Sequence, residues 1–187
     1  MWVFLGSEAL LFSGLFALYA GYRTEYSREF AAAAEHTNLA LGTAMTVVLI
    51  ASSYCMVLAF AAGRTGRAKA AVWMLLATFT LGVVFLALKA TEYTMHFQDG
   101  IFPGRFYHGP GLEVRGTVLF FTLYYAMTGL HALHVLGGLG LIAWLTRKTR
   151  RLEFDEAYHT PLELGGMYWH FVDIIWLFLW PLFYLLH

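Results

Sequence analysis

The chain has 187 residues, of which 59% are hydrophobic and 13% charged, with a mean hydropathy of +0.61; a soluble domain averages about 45–50% apolar and roughly 25% charged, so a soluble globular fold is excluded. Twelve Lys and Arg balance twelve Asp and Glu to a formal net charge of zero, which removes the electrostatic surplus that attracts nucleic acid. The single cysteine, Cys55, sits inside an apolar run, leaving no disulfide framework, no Cys-rich metal site and no Cys-x-x-Cys-His haem attachment.

The apolar runs continue for about 20 residues, helix length for a hydrocarbon core, and do not alternate over about 10 as in an outer-membrane barrel. Five stretches meet that length, at 2–22, 38–62, 70–95, 116–146 and 164–186. They predict an all-α, single membrane domain over residues 1–187, a bundle of five transmembrane helices. The first span begins at Trp2 with no basic residue before it and no A-x-A-like site after it, so it reads as a structural helix and not as a cleaved leader. Residues 23–37 form a charged, partly helical connection, 63–69 a short one, 96–115 one with two Pro and four Gly, and 147–163 a basic one. Counting Lys and Arg, the loops on the side of the N-terminus hold Arg64, Arg67, Lys69, Arg147, Lys148, Arg150 and Arg151, and the opposite side Arg23, Arg28, Arg105 and Arg115. Positive charge stays inside, so the N-terminus is expected in the cytoplasm and the C-terminus in the periplasm.

An ionisable side chain within a span asks for a buried partner or a function, because hydrocarbon offers it neither water nor a counter-charge. Glu8 lies two turns into the first span with Phe12, Leu15 and Tyr19 on its face. It reads as a proton-linked or lipid-headgroup site, or as a carboxyl hydrogen-bonded to a neighbouring helix for packing. Lys89 and Glu92 are spaced i, i+3 near the end of the third span and read as an intrahelical ion pair snorkelling to the interface. His131 and His134 share one face of the fourth span. Paired imidazoles could ligate a metal, or a haem shared with His170, although structural interhelical hydrogen bonding is the simpler reading. His170 and Asp173 repeat the i, i+3 spacing in the last span, where an acid accepting from an imidazole or indole would form a polar network at a helix interface. Gly137 and Gly138 permit close helix approach. Trp2, Trp73, Trp144 and Trp180 lie near span ends and suit an interfacial aromatic belt. No nucleotide loop or nucleophile triad stands in the sequence.

These strings, in this order, resemble subunit III of the haem-copper terminal oxidases. SEALLF around Glu8, LGVVFLALKATEY, TGLHALHVLGG and above all the run from Glu163 through YWHFVDIIWLF are similar to that family's segments and cover nearly the whole chain. The resemblance implies a non-catalytic subunit without haem, copper or other metal of its own, supporting a proton-pumping oxidase of aerobic respiration. The haems and copper would reside in partner subunits I and II, with electrons from cytochrome c or quinol. It further implies bound phospholipid, a bacterial inner-membrane location, possible membership of a larger respiratory supercomplex and a role in sustaining proton uptake. Glu8 would correspond to the family's carbodiimide-reactive carboxyl, and Glu92, His131, His134, Glu163, His170 and Asp173 to a polar helix-interface network. Longer members have seven spans, so a chain of five resembles the shorter bacterial forms. The family's adjacent His pair stands here as Tyr158-His159, against a metal site at that point. The compact 23–37 connection is also similar to a small homologue associated with nitric oxide reductase; Ser7-Glu8 and the intact His-Phe-Val-Asp favour the oxygen-reductase partner.

Overall fold

The computed structural model describes residues 2–101, 115–151 and 160–185; Arg105 and the Tyr158-His159 pair lie outside them. Helix α1 spans Trp2–Glu25, α2 Ser27–Ala34, α3 Leu39–Arg64, α4 Ala68–Gln98, α5 Arg115–Arg150 and α6 Thr160–Tyr184, and among the described residues there is no strand. Five of the six, all but α2, are long and apolar enough to cross a membrane, as composition predicts. The spans exceed their expected bounds by a few residues because polar turns continue the helices past the hydrocarbon-length core, α4 to Gln98 and α5 to Arg150.

The bundle is written in the spacing of its buried positions. Along α4 the buried residues are Ala71, Leu75, Thr78, Gly82, Phe85, Lys89, Glu92 and His96, in strictly alternating steps of four and three. That is the 3.5-residue repeat of helices packed side by side over their whole length. Helix α3 carries a similar stripe through Leu49, Ser52, Met56, Ala59 and Gly63, and packs chiefly against α4 and α6. Helix α5 is buried on two sides, against α4 and α6. Helix α1 instead buries only Leu5, Phe12 and Tyr19, one residue every seven, so it lies along α5 by a narrow seam and leaves Trp2, Val3, Leu10 and Leu18 outward-facing.

Short α2 folds beneath the bundle end through Phe30, Ala33 and Ala34. Here the last carbonyls of α6, which lack intrahelical donors, are satisfied by other elements. The Tyr19 hydroxyl donates to the Leu182 carbonyl at 2.8 Å and Thr37 Oγ1 to the Phe183 carbonyl at 3.0 Å. Asn38 caps α3 by accepting from the Leu41 amide.

At the bundle centre the Trp169 indole lies in a notch between α4 and α5. A Cβ on Gly138 would stand 2.8 Å from the indole ring and one on Gly82 2.9 Å from it, so the absence of a side chain at both positions lets three helices meet around one ring. Gly137, the other half of the predicted pair, faces only the Tyr168 hydroxyl at 3.4 Å. Gly138→Ala is expected to destabilise the solubilised protein by about 1–3 kcal/mol through overpacking, whereas Gly137→Ala stays within about 1 kcal/mol. Thermal unfolding of the two variants side by side checks the ranking, and equal losses would refute it.

Candidate functional site

The narrow α1–α5 seam is closed by one polar contact. Glu8 Oε2 lies 2.9 Å from His134 Nε2, with both side chains mostly buried. The other ring nitrogen of His134, Nδ1, is 2.8 Å from the Leu130 carbonyl one turn back. A carbonyl only accepts, so Nδ1 carries a hydrogen and the ring's remaining nitrogen is committed to Glu8. The pair therefore shares one proton: either the carboxylic acid donates to neutral Nε2, or the imidazolium donates to the carboxylate. Both arrangements have zero net charge, which suits a membrane interior. Phe12 covers the imidazole edge-on with centroids 5.5 Å apart, and the Tyr168 hydroxyl donates to the His134 carbonyl at 3.1 Å. Phe4, one turn before Glu8, and Gly137 and Leu141, along the His134 face, line an open groove of about 450 Å³ with Leu164 and Tyr168.

A second polar station joins α4, α5 and α6. Lys89 Nζ donates to Glu92 Oε2 at 2.7 Å, to the Tyr124 hydroxyl at 2.8 Å and to the Tyr184 hydroxyl at 3.1 Å. The Tyr184 hydroxyl donates in turn to Glu92 Oε1 at 2.7 Å. The ammonium lies 4.5 Å from the Tyr124 ring centroid and 5.3 Å from that of Trp176. The ion pair read from the sequence is present, but its snorkelling is not: Lys89 and Glu92 are 3% and 1% exposed. Both sit on the core stripe of α4, and every ammonium hydrogen finds an acceptor inside the bundle, so nothing draws the side chain outward.

The remaining residues take separate positions. His131 donates from Nε2 to the Val172 carbonyl at 3.2 Å, tying α5 to α6 beside Phe85 and Trp176. His170 Nδ1 pairs with Ser53 Oγ at 2.6 Å across the α3–α6 boundary. The three imidazoles read as possible haem ligands thus face three different partners. Asp173 does not accept from an imidazole or indole: the Trp169 and Trp176 indoles donate instead to Ser52 Oγ and Thr46 Oγ1, each at 3.1 Å, and the buried Asp173 carboxyl has the Ser53 hydroxyl beside it. Glu163 is exposed in the first turn of α6, favourably placed for the helix dipole and outside the polar contacts just described. Sequence reasoning missed Tyr124, Tyr184, Ser53 and Tyr168. The first two fall on the buried stripes of α5 and α6, a signal that aromatic character alone conceals.

Comparison with known proteins bears on the whole of this arrangement. The profile of the family described as cytochrome c oxidase subunit III matches residues 1–187. The chain belongs to that family. It is 33% identical over 183 residues to the probable cytochrome c oxidase subunit 3 of Mycobacterium tuberculosis, covering 97% of this chain and 84% of the relative. It is 31% identical over 189 residues to cytochrome c oxidase subunit 3 of Alkalihalophilus pseudofirmus, covering 99% and 84%, and 32% identical over 185 residues to that of Thermostichus vulcanus, covering 98% and 84%. As a subunit III it is a multi-pass membrane component that assembles with other oxidase subunits and is itself non-catalytic. What its geometry offers chemically is a proton shared between two side chains at the Glu8–His134 seam and polar anchoring between helices elsewhere.

Proposed function

We propose that this subunit sits beside haem-copper subunit I, with subunit II, in the bacterial cytoplasmic membrane, and that the Glu8–His134 pair is a proton-linked station that sustains proton uptake by the catalytic subunit. The shared-proton geometry of that pair carries the reading. A group meant only for packing needs a hydrogen bond, and an amide would supply one; a carboxyl matched to an imidazole with one open nitrogen also gives a proton two resting places in the membrane. The groove along Phe4, Gly137 and Tyr168 is apolar, open to the bilayer and large enough for part of an acyl chain, which supports phospholipid beside the pair. The basic ends of α3 and α5, with Arg64, Arg147, Lys148 and Arg150, support a cytoplasmic N-terminus by the bias of positive charge.

Glu8→Gln tests the proposal within the complex. Glutamine retains a donor for His134 Nε2, so assembly is expected to remain intact, while proton uptake at high pH slows and the working lifetime of the oxidase shortens. Stopped-flow proton uptake and product yield per enzyme before inactivation are the readouts. Wild-type values in both would reduce Glu8 to a packing residue.

A further inference from the structure

The first turn of α4 is built from small side chains, Ala68, Ala70 and Ala71, and a hollow remains between it and the last turn of α5. This cavity of about 430 Å³ is lined by Lys69, Trp73 and Leu76 on one side and by Thr149 and Arg150 on the other, and it shares no lining residue with the groove beside Glu8. Lys69 and Arg150 are exposed and enter no ion pair among the described residues. Neither 63–76 nor 147–151 contains an Asp or Glu that could answer them. Thr149 is buried and gives its hydroxyl hydrogen to the Leu145 carbonyl at 2.8 Å. Two uncompensated cations in one cavity attract an anion.

The order of groups along the helix axis decides which anion. Lys69 stands in the first turn of α4, Val72 and Trp73 follow one turn on, and Leu76 lies about 10 Å deeper than Lys69. Trp73 is 69% exposed, at the level where indoles sit between headgroups and acyl chains. Charge at the span end with an apolar wall running inward is the order of parts in a phospholipid, phosphate first and acyl chain below. A soluble anion would satisfy the cations and make no use of the wall, and a zwitterionic lipid brings its own ammonium to a site that is already cationic. An anionic lipid matches both halves, and the Lys69 and Arg150 stems can lie along apolar surface while their charged heads stay at headgroup level. We propose that the α4–α5 groove seats an anionic phospholipid, its phosphate held between Lys69 and Arg150 and one acyl chain along Val72, Trp73 and Leu76. The proposal goes beyond the proton-linked reading of Glu8 and stands independently of it.

Photolabelling of the intact purified complex in phosphatidylcholine vesicles tests it. The probes are phosphatidylglycerol and phosphatidylcholine, each at trace level and each carrying a photoreactive diazirine in one acyl chain, with adducts mapped to peptides by mass spectrometry. Labelling of the 69–76 segment by phosphatidylglycerol at roughly ten times the phosphatidylcholine yield is the expected result. In Lys69→Gln/Arg150→Gln the two yields become equal. Both replaced side chains are exposed and unpaired, and an unchanged thermal unfolding temperature of the variant complex confirms that its fold is intact. Equal labelling by the two lipids in the wild type would reduce the groove to ordinary contact with bulk lipid, and a preference that survives in the double variant would remove the cations from recognition. Loss of the preference in excess inorganic phosphate, against chloride at the same ionic strength, would make this a site for a soluble anion. Absence of adducts with either lipid would mean that another subunit covers the groove, which also overturns the proposal.

Discussion

Lys89→Met is expected to cost about 3–5 kcal/mol of unfolding free energy, because it strands the Glu92 carboxylate inside the bundle without its counter-charge. Glu92 has 1% exposure and is left with neutral phenol hydroxyls, Tyr184 and Tyr124, in place of a counter-charge. Glu92→Leu strands the ammonium in the same way, leaving it two phenol oxygens and aromatic faces. The double variant Lys89→Met/Glu92→Leu is expected to regain most of the loss, since a buried pair replaced by apolar side chains of similar volume is often neutral. Unfolding of the solubilised protein in increasing denaturing detergent, followed through the accessibility of the single thiol Cys55, measures all three. Single losses under about 1 kcal/mol, the range of exposed pairs, would place the ion pair at the surface after all. A double variant as unstable as the sum of the singles would show that the charges do not act as a unit.

The same pair shows what a sequence conceals. Composition and run length are enough for five spans and a membrane location, because the bilayer fixes helix length and apolarity independently of neighbours. The ion pair is equally legible, since i, i+3 spacing puts Lys89 and Glu92 together on any helix. Their burial is not legible from charge, which argues for the interface, but from the 3.5-residue stripe that runs through both. Glu8 and His134 could be singled out one by one as costly residues. Their union 126 positions apart in sequence depends on how α1 leans along α5, and α1 offers only one buried residue in seven to define that lean. Asp173 is the opposite case: an acceptor for a nearby indole is a sound local expectation, and it fails because Ser52 and Thr46 on α3 take the two indole donors first.

Trp169→Ala is expected to be as damaging as loss of the buried charge, at about 3–5 kcal/mol. The indole is fully buried, and its Nε1 donates to Ser52 Oγ at 3.1 Å, a hydroxyl that also bonds the Thr78 carbonyl on α4 at 3.3 Å. Removing the ring opens a void where α3, α4, α5 and α6 meet and leaves Ser52 one donor short. Trp169→Phe keeps much of the ring volume and loses the donor, so about 1–2 kcal/mol is expected. Coupling to the glycines separates the packing contribution from the hydrogen bond. If Gly138 lacks a side chain because of this ring, the penalty of Gly138→Ala disappears in the Trp169→Ala background, where the new methyl enters empty space, and persists in Trp169→Phe to the extent that the benzyl ring keeps the six-membered indole position. An undiminished Gly138→Ala penalty in both backgrounds would mean that α5 is held against its neighbours by contacts other than the indole, and that the notch is incidental to the fit of the four helices.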